Sequence, residues 1–401
     1  MNKIYSEYLK ILDKEKNYYS NWTYDKPIGI TIDTNSELKR TQQIMYKLIN
    51  YFVANYEKYE FIMPISTRAK EILNFCKRKK YEIGTYRTDF VIDELNSIKL
   101  IEITCRFALN GFIRSGFVNA LSENFIIENG NFDIFDQYSS FYDHLLEYFG
   151  DFKRICVVEG DNSSKNESKV LIPLFKSAGY EVSILNKYNI EDNLNELNNS
   201  AIFLELSHEE LFSLSNKTIN KLIDSKILND LRTVILVHDK RMFSLLSDES
   251  FQREVLSEED MEFFNDKVVK TYTRKQRKDL WEEAKNNKDN WILKPSVLGM
   301  GINVFAGNLL SDSDWNKIFD SELIEDMILQ PYIKQKKFKG TVKGVYHLDY
   351  VAGTMLNFGN NYFGAGLFRA SSYPITNKVD DRKISSVVTE NIEFFDSDNI
   401  L

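Results

Sequence analysis

The sequence contains few of the residues that bind structural metals or form disulfides. Its 401 residues include three cysteines and four histidines. Cys76, Cys105 and Cys156 are far apart and lack metal-ligand spacing, and an odd number does not suit a disulfide framework. The N-terminal segment has the pattern of a charged amphipathic helix and not of an export signal. We therefore expect a cytoplasmic protein whose reduced cysteines pack in cores, and we expect no zinc site.

The sequence also lacks an excess of positive charge and lacks long apolar runs. The net charge is −8, which does not attract nucleic acid or an anionic membrane surface. No apolar run approaches the length that spans a membrane. These absences argue against general nucleic-acid and membrane binders, whereas a local basic pocket for a nucleotide stays compatible with an acidic protein.

Hydrophobic residues make up 43% of the chain, which is ample for folded cores, and its length suggests two or three lobes. The pattern predicts a mixed α/β fold in three parts. Residues 1–150 carry helices followed by a hairpin. Residues 151–238 alternate short strands with helices, which predicts a small, mostly parallel α/β lobe. Residues 239–401 contain a helix-rich bridge and then strands, and the segment from residue 380 onward is expected to be peripheral.

The local pattern also predicts individual elements. Helices are expected at 38–53, from Ser66 to Cys76, near 117–128, at 137–149, and after a capping box from Ser164 to Glu167. Strands are expected at 88–94, 98–107, 155–160, 180–185, 201–206, 233–238, 291–295, 302–307 and 327–333, and in a tail over 342–372.

A lysine beside a glycine-containing loop marks the first candidate site. Residues 291–307 have the pattern of an apolar strand, Lys294, a loop with Gly299 and Gly301, and a second strand. A lysine fixed at a strand end beside inward-turning backbone N–H groups suits a polyphosphate. Glycine lets the backbone approach an anion closely. Alone, the pattern fits an ordinary surface turn equally well.

A predicted hairpin over residues 86–107 supplies the second candidate site. Alternation places Glu102, Thr104 and Arg106 on one face of its second strand. Arg87 and Asp89 share a face of the first strand in the same way. Paired carboxylates suit Mg²⁺, which completes its shell with water and phosphate oxygens. The alternative is a solvated face with ordinary salt bridges. The opposite, apolar face is expected to carry Ile101, Ile103, Cys105 and Phe107.

Five short motifs follow one another along the chain: YRTDF with KLIEITCRF, VHDKRMFSLLSD, WILKPSVLGMGINV, ILQPYI and GAGLFRASS. Their order resembles that of the circularly permuted ATP-grasp ligases, which include eukaryotic glutathione synthetase and the synthetase domain of glutathionylspermidine synthetase. The match covers about 86–116 and 235–372. The resemblance implies a circularly permuted ATP-grasp fold with an inserted small α/β lobe and a helical N-terminal part. It also implies ATP and Mg²⁺ as cofactors.

The resemblance implies a role for each matching residue. Arg87 would contact the reacting phosphoryl and carboxyl groups, and Arg369 would receive a substrate carboxylate. Asp89 and Glu102 would bind magnesium. The residues implied on the nucleotide side are Lys240, Lys294, Gly299, Gly301, Asn303 and Gln330.

Three positions depart from the family pattern. Thr104 stands where the family usually has a metal-binding asparagine, although a hydroxyl could hold a metal-bound water. Leu298 falls where glutathione synthetase has a metal-ligating glutamate, so the metal would be held largely from the hairpin. Arg106 has no counterpart, and its substrate role is inferred from the hairpin geometry alone.

The leading hypothesis is an ATP-dependent, ADP-forming carbon–nitrogen ligase. It would join a carboxylate to an amine through an acyl phosphate and form an amide or peptide bond on an amino acid, small peptide or amine. One alternative is a catalytically inactive ATP-grasp-like nucleotide-binding protein, and another is a nucleotide-free α/β scaffold. The expected partners are small carboxylates and amines, without nucleic acid or membrane, and a homodimer stays open.

Overall fold

The computed structural model describes residues 3–122, 125, 137–161, 167–299, 301–376 and 378–401. The fold is mixed α/β, as predicted. The helices are α1 Lys3–Tyr19, α2 Ile32–Asn55, α3 Thr67–Cys76, α4 Phe112–Asn119, α5 Gln137–Phe149, α6 Ser168–Ser177, α7 His208–Ser213, α8 Asn216–Asp224, α9 Met242–Leu246, α10 Glu249–Arg253, α11 Glu258–Lys267, α12 Lys278–Asn286 and α13 Asp312–Phe319.

The strands form four sheets. They are β1 Ile28–Thr31, β2 Thr85–Ile92, β3 Ile98–Thr104, β4 Arg154–Glu159, β5 Glu181–Asn186, β6 Ser200–Glu205, β7 Lys226–Ile227, β8 Trp291–Pro295, β9 Phe305–Ala306, β10 Met327–Pro331, β11 Lys337–Val342, β12 Val345–Phe358, β13 Asn361–Ala365, β14 Phe368–Ser371, β15 Arg382–Ile384 and β16 Ser386–Thr389.

A seven-stranded sheet carries the predicted hairpin at its edge. Its order is β15-β14-β12-β2-β3, with β11 and β13 also paired to β12. The long strand β12 pairs antiparallel with both β2 and β14, so it holds residues from distant parts of the sequence side by side. A separate three-stranded antiparallel sheet, β10-β8-β9, carries Lys294.

The hairpin is predicted correctly except for a bulge in β3. Arg87 lies opposite Thr104 and Asp89 lies opposite Glu102, but the next pair is Phe90 with Leu100. Ile101 is therefore an extra residue in β3. Such a bulge interrupts the alternation of faces. Our placement of Ile101 on the apolar face is wrong, because Ile101 lines a cavity together with Glu102.

The predicted second strand also runs too far. It was expected to reach residue 107, but β3 ends at Thr104. Once the pleat stops, alternation no longer fixes side-chain direction, and Phe107 lines a cavity beside Arg106 instead of the core. Cys105 does face the core, as predicted, and is fully buried.

The predicted parallel lobe is present, with one wrong strand. Its sheet is β5-β4-β6-β7, and all three pairings are parallel. Residues 233–238 were expected to form a strand, but Thr233–Val237 form a wide helical turn in which the His238 N–H donates to the Thr233 carbonyl at 3.2 Å. The run is buried on every side, so its sequence carries no periodicity to separate helix from strand.

Two further strand and tail predictions are wrong. Residues 302–307 were expected to be a strand, but only Phe305–Ala306 pair with β8, because Gly301 and Asn303 adopt positive φ and turn the chain. The tail from residue 380 is not peripheral. β16 pairs in parallel with β1, and the backbone of Leu401 bonds to Gly29 and Thr31.

Most helices match their predictions. In α2 the seven apolar residues of the predicted periodic face are buried: Leu38, Ile44, Met45, Leu48, Ile49, Phe52 and Val53. The helix expected near 117–128 begins earlier, as α4, and 126–128 lie outside the described residues. Ser164 of the predicted capping box also lies outside them, and Glu167 makes no cap bond to α6. Within the described ranges no helix is long and apolar enough to cross a membrane.

Candidate functional site

The polar face of the hairpin holds a buried ion pair. Arg87 donates to both oxygens of Asp89, from Nε at 2.6 Å and from Nη2 at 2.9 Å. Its Nη2 also lies 3.4 Å from Thr104 Oγ1. Burial would lower the pKa of Arg87, but the Asp89 carboxylate outweighs it and the pKa is raised. Both predicted residues of β2 are thus brought together with Thr104.

Glu102 lies between two buried lysines. Lys240 Nζ is 3.7 Å from Glu102 Oε2, and it donates to the Leu298 carbonyl at 2.5 Å. Lys294 Nζ contacts the Ile101 carbonyl at 3.4 Å from the other sheet. Burial would raise the pKa of Glu102, but Lys240, and then Lys294, hold it below its ordinary value.

The two lysines are unusually buried for cations. Lys240 is 4% exposed and Lys294 is 5% exposed. Burial lowers the pKa of Lys294 to about 8, because the nearby Glu102 only partly offsets the desolvation and Lys240 adds repulsion. Cations held in a buried site attract a ligand that brings negative charge. Lys294 also contacts the Ile101 carbonyl of β3, so the predicted proximity of the Lys294 loop to the hairpin is present in the structure.

A small cavity of about 110 Å³ lies against this charged cluster. Lys294, Asp89 and Gly301 contribute to its lining, as does Gln330. The remainder of its lining is largely apolar: Val91, Ile101, Val269, Ile292, Val304, Pro331, Tyr332, Ile333, Ala352, Pro374 and Ile375. A mainly apolar pocket with a few convergent polar groups is typical of a small-molecule site.

A larger cavity of about 590 Å³ adjoins the small one along the polar face of the hairpin. Its cationic side chains outnumber its acidic ones. The cations are Arg87, Arg106, Arg114, Arg369, Lys240 and Lys383, and the acids are Glu102, Glu167, Glu205 and Asp381. A wall of this composition favours an anionic ligand.

The two cavities share a wall, which we call the junction, formed by Glu102, Thr354 and Arg369. Burial lowers the pKa of the Arg369 guanidinium, and the neighbouring Arg87 lowers it further. Two buried guanidiniums therefore lie close to Glu102 where a ligand in the small cavity would meet a ligand in the large one.

The structure does not bring every predicted residue to a cavity. Asn303 lines neither cavity and lies in the turn that follows Gly301. Gln330 lines the small cavity, and its side-chain amide donates to Thr271 Oγ1 at 2.8 Å. Gly299 and Leu298 line the large cavity. The Leu298 carbonyl accepts from Lys240. Among the described residues, no side chain replaces the metal-ligating glutamate that glutathione synthetase has at this position.

Several wall residues were not predicted from the sequence. Glu167 accepts from the backbone N–H of Gly111 at 2.8 Å and of Arg114 at 2.8 Å, and thereby caps α4 from the lobe. Lys383 pairs with Asp381 in the tail that we expected to be peripheral. Asn110, Glu205 and His238 also line this cavity. They come from distant parts of the sequence, and although His238 lies within VHDKRMFSLLSD, that motif did not assign it to the site.

The carboxylates of Asp89 and Glu102 suit magnesium only when a nucleotide supplies further oxygen ligands. In the described ranges no group of three or more His, Cys, Asp or Glu side chains is placed to hold a metal. Asp89 and Glu102 face each other across β2 and β3, but both Asp89 oxygens already accept from Arg87. Two carboxylates with phosphate oxygens and water are an ordinary Mg²⁺ shell. The residues therefore fit a magnesium–nucleotide complex and not a bare ion.

Comparison with known proteins gives a family match and a likeness to solved structures. Residues 41–236 match a family described as the AnkG N-terminal domain. The fold is similar to that of a glutathione synthetase-like effector from Globodera pallida, whose structure is in the apo form, with a TM-score of 0.58 over 96% of each chain and 10% identity. No curated protein matches the sequence. Because identity is low, this likeness concerns the fold alone: the chain has a fold similar to a glutathione synthetase-like protein.

Proposed function

We propose that the protein is an ATP-dependent, ADP-forming carboxylate–amine ligase with a circularly permuted ATP-grasp fold. The observation that supports this most is the junction, where Glu102 and Arg369 line both cavities. A ligase of this kind must hold its nucleotide and its carboxylate substrate next to each other with charged side chains between them. Phosphoryl transfer depends on this positioning and on charge neutralisation.

The small cavity would hold the base of ATP, and the phosphates would extend past the junction into the large cavity, which Lys240 and Gly299 line. The backbone beside Gln330 in β10 would read the base, and Lys294 and Lys240 would neutralise the phosphates. Gly299 and Gly301 would cover them. Bound ATP would supply the phosphoryl group that converts a carboxylate into an acyl phosphate. Asp89 and Glu102 would hold magnesium together with the phosphate oxygens, and Thr104 would support a metal-bound water.

The large cavity would hold the carboxylate and the amine. Arg369 and Arg87 would orient the carboxylate at the junction and offset its charge, since guanidinium groups bind carboxylates in a fixed geometry. Arg106 would contact the substrate farther along the wall. We also propose that the domains meet at residues 150 and 238 and that the protein forms a homodimer.

A second candidate is a nucleotide-binding protein without ligase activity. Two observations favour it: Leu298 provides no metal ligand from the loop, and the Asp89 carboxylate is fully engaged by Arg87. Such a protein would bind ATP with magnesium but would not consume it with any acid and amine.

Phosphate release with a panel of acids and amines separates the two candidates. We expect the wild type to consume ATP only when both a carboxylate and an amine are present. Lys294→Met keeps the buried methylenes and should weaken ATP binding about tenfold or more. Glu102→Gln should retain ATP binding and lose turnover, because it removes a metal ligand.

Lys285→Met is the matched control, because Lys285 pairs with Asp320 on the surface at 2.9 Å. It should leave ATP affinity and turnover unchanged. ATP binding without consumption for every pair would favour the second candidate. Absence of any ATP binding, checked by equilibrium titration with magnesium, would contradict both candidates.

A further inference from the structure

One wall of the large cavity contains polar atoms that no protein group satisfies. In the described part of the chain, Glu205 Oε2 is the one buried carboxylate oxygen without a hydrogen-bond partner. Asn110 Oδ1 and Arg106 Nε are also buried and unpartnered. Leaving such groups unsatisfied costs free energy, so an unpaired set at a cavity wall indicates a missing ligand.

Glu205 and Asn110 are fixed to the same peptide unit. Glu205 Oε1 accepts from the Ala108 N–H at 3.0 Å, and Asn110 Nδ2 donates to the Phe107 carbonyl at 2.6 Å. Both residues line the large cavity, and each side chain uses one polar end to hold the loop while its acceptor oxygen has no partner. Glu205 is only 3% exposed, so its carboxyl is largely removed from bulk water.

The other acids of the cavity are already engaged. Glu102 lies beside Lys240, Glu167 accepts from two backbone N–H groups, and Asp381 pairs with Lys383. The surplus of cations would repel a positively charged ligand elsewhere on the wall. Among the acids of this cavity that the structure describes, Glu205 is the one with a buried oxygen that has no partner.

We propose that Glu205 binds the amine substrate, with its Oε2 accepting an N–H and Asn110 Oδ1 offering a second acceptor on the same wall. This proposal rests on the proposed ligase function. A primary amine supplies two or three N–H donors, whereas a carboxylate supplies none for these oxygens. The amine site would thus lie at the end of the lobe strand β6, beside the loop that follows the hairpin.

Binding should release a proton. Burial raises the pKa of Glu205 to about 8, although the Ala108 N–H opposes it; the charges facing the carboxyl are Glu167, Arg106 and Glu159. At pH 7 the carboxyl is therefore mostly protonated. When an ammonium binds, the proton leaves to solvent and an ammonium–carboxylate pair remains, so close to one proton should be released per amine bound.

Calorimetric titration of the full chain with n-propylamine at pH 7, in cacodylate and in MOPS, measures affinity and proton release together. Glu205→Gln should weaken propylamine binding about tenfold or more and abolish the proton release. Glu210→Gln is the matched control, because Glu210 already accepts from the Asp161 and Ser207 backbone N–H groups. It should leave both quantities unchanged.

Butyrate is the paired probe of opposite charge. The proposal is overturned if propylamine does not bind the wild type, if Glu205→Gln binds it equally well, or if Glu205→Gln loses butyrate binding instead. The last result would make the protonated carboxyl a donor to an acid. This experiment needs no ATP, so an inactive protein that still binds propylamine through Glu205 contradicts only the ligase proposal.

Discussion

Glu205 should make the stability of the protein depend on pH in a direction opposite to that of a typical carboxylate. Its pKa is raised from 4.5 to about 8 by burial. A raised pKa in the folded state means that the folded protein holds a proton that the unfolded chain releases. The stabilisation is therefore complete below about pH 4.5 and is lost as the pH rises through 8.

The size of the effect follows from the two pKa values. One pH unit corresponds to about 1.36 kcal/mol, so the wild type should lose about 3 to 4 kcal/mol of unfolding free energy between pH 5 and pH 8 through this group. Glu205→Gln removes the titration. Its amide oxygen can still accept from the Ala108 N–H, while its buried NH₂ adds a cost of about 1 to 3 kcal/mol that does not vary with pH.

Urea unfolding at pH 5, 6, 7 and 8 measures this difference directly. All other titrating groups are common to both proteins, so only the difference between the two curves matters. We expect the unfolding free energy of Glu205→Gln to increase steadily relative to that of the wild type as the pH rises. Glu210→Gln should run parallel to the wild type, because the pKa of Glu210 is lowered and that group stays ionised in this range. Parallel curves for Glu205→Gln and wild type would refute a buried, protonated carboxyl.

Three further changes test the packing around the site. Asn229→Leu removes a buried amide that donates to three backbone carbonyls, and it should cost about 2 to 4 kcal/mol in urea unfolding; retention of full stability would show that the amide is dispensable. Asp349→Asn breaks a buried pair in which Arg382 donates twice, at 2.6 and 2.7 Å, and should cost about 3 to 5 kcal/mol by the same assay, where a loss below 1 kcal/mol would contradict the pairing. Gly353 lies in β12, and Gly353→Ala would place a methyl group 2.3 Å from the Phe90 ring of β2. The change should lower the melting temperature and reduce the unfolding free energy by about 1 to 3 kcal/mol. An unchanged melting temperature would count against this close packing.

Periodicity was sufficient to predict the elements whose two faces differ. The helix α2 and the hairpin each have one polar and one apolar side, and both are found where the pattern placed them, apart from Ile101. The parallel sheet followed instead from the alternation of short strands with helices. The pattern failed where that contrast is absent. Residues 233–237 are buried on every side, and an apolar run of that kind folds as helix or strand according to its neighbours.

The half of the candidate site that lies on the hairpin and the Lys294 loop could be predicted, because both segments carry local motifs. The other half could not. Glu167, Glu205 and Lys383 come from the lobe and the C-terminal tail, and no motif in those segments predicts a cavity residue, since Glu167 was expected only to cap a helix. Their convergence depends on how β6, α4 and β15 pack around one cavity. A sequence pattern reports faces within an element and not distances between elements.

The bulge in β3 shows why the two predicted halves meet. Without an extra residue, Ile101 would point into the core and its carbonyl would continue the ladder with β2. With it, Ile101 and Glu102 both reach the cavity wall, and the Ile101 carbonyl lies 3.4 Å from Lys294 Nζ. The bulge thus joins a lysine to a carboxylate strand that lies almost two hundred residues away in sequence. Bulges of this kind recur beside binding sites because they redirect a side chain without ending the strand. No residue type marks this one, so it is visible only in the register of the sheet.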